Sequence, residues 1–172
     1  APLELAAERE GGPNAYAALA ELAAASPRGA NGLILLPYFS GERTPIHDPD
    51  ARGLIVGLTL AHTRADVYRA LLEGVGFGIR HNIEAMREEG VPPRRILAVG
   101  GGTRNALWLQ IVSDIAGIEQ YIPRQHYGAC YGDAFLAGVG TGLFPDTTPA
   151  ADWTEYAQVI RPDEAARREY EP

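Results

Sequence analysis

A single cysteine, Cys130, stands among 172 residues, so no disulfide framework can form within the chain. That suits a reducing compartment, and a cytoplasmic protein is expected. No cationic residue lies beside Cys130 in sequence, so nothing activates its thiol, and a small residue on a buried helix is expected there. Basic runs are absent and the net charge is -7, which argues against a nucleic-acid surface. No apolar run reaches membrane-spanning length, so no membrane partner is expected. The opening APLELAAERE is acidic and lacks the charged-then-apolar layout of a leader. Neither a G-x-S-x-G nucleophile elbow nor a G-x-x-x-x-G-K-[ST] phosphate loop occurs, which removes serine-hydrolase and P-loop chemistry. The four histidines, His47, His62, His81 and His126, have no ligand-like spacing, so no metal centre is expected of them. Repeats and low-complexity tracts are missing too.

What remains is an ordinary globular composition, 46% apolar and 22% charged, at a length suited to one domain. From Asn14 to Ala25 an Ala- and Leu-rich segment reads as a helix capped by Asn14. Gly32 to Tyr38, GLILLPY, is a short continuous apolar run and a candidate buried strand. The polar stretch from Ser40 to Gly53, with Pro45 and Pro49, reads as a functional loop, since long idle loops are uncommon in compact domains. Asp48 and Asp50 flank Pro49 as turn formers.

Thr63 opens the longest helix, with Thr63 and Asp66 at the spacing of a capping box. Val67, Leu71, Val75, Ile79 and Ile83 form an apolar row. Arg69 with Glu73 and Arg80 with Glu84 are i,i+4 opposite charges expected on the other faces. Gly90 and the following prolines stop the helix after about 37 Å. Gly74, Gly76 and Gly78 each cost roughly 1 kcal/mol against alanine in a helix, so another backbone is expected to pass close to them. Further strands are expected from Arg95 to Val99 and Glu119 to Ile122. Helices are expected from Asn105 to Gly117, with Leu107, Ile111, Val112 and Ile115 inward, and from Gly128 to Gly142. Asp133 is expected to favour the dipole near the start of the last helix. Strands alternating with helices specify an α/β layer fold with a largely parallel sheet.

Between Ile96 and Asn105 the sequence reads ILAVGGGTRN. An apolar run stops at three glycines and a polar turn opens the next helix. Glycine lacks Cβ, so a flat or phosphorylated molecule can reach the main chain, and N–H groups at a helix start favour anions. A tight strand-to-helix turn uses glycine for local reasons alone, and both readings stand on the residues. Asn105 occupies the place where a dinucleotide fold needs its third glycine. An adenosine held by the glycines, with Asn105 supplying an amide, is the reading these residues leave available.

Four stretches together resemble a known family. They are LPYFSGERTP (Leu36–Pro45), DPDARG through GLTLAHTRADVYRALLEGVGFGIRHNIEAM (Asp48–Met86), ILAVGGGTRNALWLQIVSDIAG (Ile96–Gly117) and YGACYGDAFLAGVGTGLF (Tyr127–Phe144). In order and spacing they resemble the C-terminal lobe of the FGGY carbohydrate kinases, and SGERTP looks most like the xylulokinase branch. The resemblance implies a hexokinase/actin-like (ribonuclease H-like) lobe, a mixed sheet flanked by helices, here incomplete. It implies that Gly101, Gly102 and Asn105 line the adenosine pocket of ATP. Asn105 follows the glycerol-kinase style, since xylulokinases usually carry Ser there. The SGERTP loop is expected near the cleft, with an internal ion pair of Glu42 and Arg43 as one reading.

The resemblance also implies absences. The family's N-terminal lobe carries the first phosphate loop, most sugar contacts and the catalytic Asp, so no catalytic residue is expected in this chain. Magnesium would be held mainly by that lobe and by the phosphates. Residues 1–172 are therefore expected to be a partial C-terminal, nucleotide-binding lobe of an ATP-dependent kinase acting on a ketose or polyol, inactive alone. Its tail is expected to stop short of the family's usual terminal helix. A free-standing nucleotide-binding or interaction module is the alternative, and a split kinase with a separate N-terminal lobe is a third. Exposed apolar surface and self-association or a partner are expected in the partial lobe.

Overall fold

The computed structural model describes residues 2–12, 14–125, 128–147 and 154–171, so His126 lies outside the described residues. Two helices, α1 (Pro2–Arg9) and α2 (Ala15–Ala24), lead into two short strands, β1 (Ile34–Leu36) and β2 (Leu54–Val56). The long helix α3 (Arg64–Glu88), strand β3 (Ile96–Leu97), helix α4 (Ala106–Ala116) and strand β4 (Gln120–Pro123) follow. Helix α5 (Ala129–Gly140), strand β5 (Tyr156–Ile160) and helix α6 (Glu164–Tyr170) complete the order. Asn14 caps α2 as expected, its Oδ1 accepting from the N–H groups of Tyr16 and Ala17.

One sheet is antiparallel and the other mixed, and the expectation of a largely parallel sheet needs correcting. Among the described strands only β3 and β4 run parallel, while β1–β2 and β4–β5 are antiparallel. The reason is the connection. A helix joins β3 to β4 and allows a crossover, whereas β2 returns to β1 through the polar loop with no helix between them. Two strands and two helices were not anticipated, namely β2, β5, α1 and α6, the last of them within the tail.

The core forms where α3 packs on α4. Leu72, Ile111, Ile115, Ala23 and Tyr170 make one buried cluster, with Trp108 and Leu107 against it. The apolar row of α3 wraps rather than facing one neighbour. Each step of four residues drifts by roughly 40° around the helix, because a turn takes 3.6. Val67 and Leu71 therefore meet Ala30, Leu33 and Leu35, whereas Ile79 and Ile83 meet Ile96, Ala116 and Ile118.

Asp66 anchors the start of α3. Its carboxylate accepts from the N–H and hydroxyl of Thr63, each at 2.7 Å, from Ser26 Oγ at 2.7 Å and from Asn31 Nδ2 at 2.8 Å. The Thr63 backbone N–H first, then the Ser26 and Thr63 hydroxyls, hold its carboxyl well below the usual carboxylate range. A depressed carboxyl stabilises the fold at pH values above its unfolded pKa of about 4, and that stability is lost as pH falls through the folded value. Thermal melts should therefore show a midpoint that declines below about pH 4. Asp66→Asn should weaken the fold most at neutral pH and flatten the acid limb. An acid limb of unchanged steepness in the variant would contradict this role.

Candidate nucleotide site at the glycine loop

The three glycines have three separate reasons. Gly100 sits at φ 85°, ψ -169°, which a residue with a side chain does not adopt without strain. Gly102 faces inward, because a Cβ there would collide with the ring of Trp108. Gly101, like Gly100, has no heavy atom within 4 Å of where its Cβ would stand, and unlike Gly100 it has no positive φ to require glycine. The freedom from side chains that the sequence suggested is thus shared between an internal ring and one uncovered surface.

Residues Gly101–Arg104 form a 3-10 turn, closed by Thr103 Oγ1 donating to Gly100 O at 2.7 Å and Asn105 N donating to Gly102 O at 3.0 Å. Asn105 then caps α4, its Oδ1 accepting the Trp108 N–H at 3.0 Å. The cap commits the side-chain oxygen and leaves Nδ2 as the donor available to another molecule. In a 3-10 turn residues three apart eclipse one another. Gly102 and Asn105 share the face turned to Trp108, and Gly101 and Arg104 share the other. Sequence reasoning overlooked Trp108 and Arg104. The signal for both was the i,i+3 spacing, which becomes readable only once the turn is known to be 3-10.

Among the described residues no three or more His, Cys, Asp or Glu side chains group where they could hold a metal ion. Asp133, expected near a helix start, lies beyond the first turn of α5 and is exposed. Cys130 is also exposed on α5 rather than buried, because among the described residues that helix buries only Phe135 and Gly138, against Phe144.

The loop after β1 is built from the turn chemistry expected of it. Asp48 Oδ1 accepts from the N–H groups of Asp50 and Ala51, and Glu42 and Asp48 exchange backbone hydrogen bonds at 2.8 and 2.7 Å. Glu42 and Arg43 form no ion pair. Glu42 Oε1 instead takes the Thr44 N–H at 3.0 Å, which bends its side chain back over its own loop. Asn82 ties the loop to α3 by donating to Thr44 O at 3.1 Å.

A cavity of about 540 Å³ lies elsewhere, between β1, α3 and α6, lined by Leu33, Leu35, Gly74, Phe77 and Tyr170 among others. None of the glycine-loop residues lines it. Its buried carboxylate, Glu73, already accepts from Arg69 Nε at 2.6 Å, Tyr170 OH at 2.8 Å and Gly29 N at 3.1 Å. Its walls are mostly apolar, and the carboxylates of Glu73 and Glu169 among them repel the charge of phosphates. The glycine loop is the better nucleotide surface despite being shallower.

Arg69 and Glu73 correct a further expectation. Their side chains are 7% and 4% exposed, so the pair is internal and not on a solvent face. Tyr170, from the far end of the chain, covers them. Arg69 Nη2 donates to the phenol oxygen at 2.8 Å and the phenol donates to Glu73. Burial pushes the phenol above its usual range and keeps it a neutral donor.

Comparison with known proteins gives this geometry a context. Residues 3–141 match the C-terminal domain of the FGGY family of carbohydrate kinases. A xylulose kinase of Staphylococcus epidermidis is 40% identical over 123 residues, 72% of this chain and 25% of that protein. A gluconokinase of Bacillus subtilis is 34% identical over 161 residues, 92% of this chain and 31% of that protein. The crystal structure of ligand-bound xylulose kinase from Lactobacillus acidophilus matches with a TM-score of 0.80 and 28% identity, covering 88% of this chain and 31% of that one. The chain thus spans about a quarter to a third of the length of these relatives.

Proposed function

This chain belongs to the FGGY family of carbohydrate kinases, and we propose that it is the nucleotide-binding part of an ATP-dependent kinase for a ketose or polyol. Adenosine lies over the open backbone of Gly101, and Asn105 Nδ2 donates to an acceptor on its base or ribose. Gly102 contributes by admitting Trp108 beneath the loop, which holds Gly101 in place. The observation that carries this reading is the uncovered Gly101 beside a capping Asn105 whose second amide atom is unused. A xylulose-like acceptor is favoured by the 40% identity to a xylulose kinase against 34% to a gluconokinase. ATP supplies the phosphoryl group, and magnesium is held by the phosphates and by groups outside this chain. The protein works in the cytoplasm, consistent with one exposed cysteine and with the finding that no described helix is long and apolar enough to cross a membrane.

We further propose that the rest of a longer kinase polypeptide covers the β1–β2 face. Ile34 pairs with Val56 and Leu36 with Leu54, and all four are exposed. Leu58 and Leu60 extend the same apolar surface in sequence and are exposed too. An apolar surface of this kind marks an interaction site, and relatives about three times as long supply an occupant. The catalytic Asp and the sugar contacts belong to that remainder, so these residues alone should not transfer phosphate. A free-standing binding module would need another partner for the same face, and a homo-oligomer is the form that reading takes.

The nucleotide claim has a direct test. Gly101→Leu should leave the melting midpoint near wild type, because the side chain enters open space, yet should weaken ATP binding by at least tenfold. Isothermal titration reads the binding, and equal affinity of the variant and wild type would remove Gly101 from the site. Gly102→Leu should behave oppositely, lowering stability by overpacking Trp108.

A further inference from the structure

Arg104 is the one residue of the glycine turn with both reach and charge. It is exposed, and no described residue gives its side chain a hydrogen bond, ion pair or ring contact. Most of its neighbours in kind are used. Arg28, Arg52, Arg64, Arg69, Arg80, Arg124, Arg161 and Arg167 are held in ion pairs, and Arg95 lies over the rings of Tyr121 and Tyr156. Arg104 also eclipses Gly101 across the 3-10 turn, so its side chain leaves from the face that Gly101 leaves bare. The structure sets a planar, always-charged group beside a flat strip of uncovered peptide.

We propose that Arg104 fixes nucleotide affinity by stacking its guanidinium on the purine ring, with the Gly100–Gly101 backbone under the ring's other side. This rests on the reading of the glycine loop as the adenosine site. A guanidinium stacks on aromatic faces and is weakly hydrated, whereas an ammonium is a compact and strongly hydrated charge. Base stacking therefore demands arginine and acts on adenosine and ATP alike, while a phosphate contact acts on ATP alone.

The experiment is titration of adenosine and of ATP into the wild-type protein, Arg104→Ala and Arg104→Lys, by calorimetry. Circular dichroism melts serve as the folding control, and an exposed, unpartnered side chain should leave them unchanged. Stacking predicts that Arg104→Ala weakens adenosine about five- to tenfold and that Arg104→Lys recovers little of it. Equal adenosine affinity in wild type and Arg104→Ala overturns the role of Arg104 while leaving the site intact. Loss confined to ATP, whether or not lysine restores it, overturns stacking in favour of a phosphate contact. Failure of the wild type to bind either ligand overturns the nucleotide reading itself.

Discussion

Arg69→Met should destabilise the protein by about 3 to 5 kcal/mol, the usual penalty for stranding one member of a buried ion pair. At this chain length that corresponds to a fall of roughly 6 to 20 °C in the melting midpoint. The cause is specific. Glu73 would keep its burial and lose the only cation paired with it among the described residues, and Tyr170 would lose the donor that points its phenol toward Glu73. Removing both charges as Arg69→Met with Glu73→Leu should recover much of the loss, since an apolar replacement leaves no orphan charge. Tyr170→Phe should cost less than Arg69→Met, because the salt bridge at 2.6 Å survives it. A single Arg69→Met variant melting within a degree or two of wild type would show that the cluster contributes little.

The second large effect lies on the glycines of α3, where two similar substitutions should move stability in opposite directions. At Gly74 a Cβ would collide with the backbone carbonyl oxygen of Leu35, and a backbone atom cannot swing aside. Gly74→Ala should therefore cost about 1 to 3 kcal/mol by forcing β1 away from α3, outweighing the gain in helix propensity. At Gly78 nothing stands within 4 Å, and Gly78→Ala should stabilise by up to about 1 kcal/mol. Denaturant melts of the two variants decide it. The same sign for both would mean that close approach does not explain these glycines. Gly76 is intermediate, with Ile115 Cδ1 3.0 Å from its would-be Cβ, a side-chain tip that can shift.

Those glycines illustrate how far the sequence carried. Three helix-interior glycines promised a close backbone, and Gly74 meets one, while Gly78 does not. Local signals were read well: Asn14 caps α2, Thr63 and Asp66 join at the start of α3, and Asp48 makes its turn. These depend on residues two to four apart, so spacing alone contains them. What failed depends on distant chain. The i,i+4 pair Arg69–Glu73 looks the same in sequence whether solvent or Tyr170 lies over it, and Tyr170 is about a hundred residues away. Strands β2 and β5 were missed because three to five residues carry little periodicity, and their pairing partners come from elsewhere.

At the candidate site the motif was legible and its division of labour was not. Three consecutive glycines look equivalent as letters. They separate only when the 3-10 geometry sends Gly102 and Asn105 toward Trp108 and leaves Gly101 with Arg104 outside. Asn105 was expected to face a ligand, and its oxygen instead holds the start of α4. One side chain can do both, because the amide nitrogen is left over. The cavity between β1 and α3 would have misled a search based on volume, since its walls are mostly apolar and its buried carboxylate already holds three donors.

The central claim is that a nucleotide binds at the open face of Gly101. Titrating ADP into the isotope-labelled protein while following backbone amide resonances tests it most directly. Saturable shifts should concentrate at Gly100, Gly101, Arg104 and Asn105, with the Trp108 indole responding from below. Shifts concentrated instead at Leu35, Gly74 and Phe77, around the cavity between β1 and α3, would contradict it.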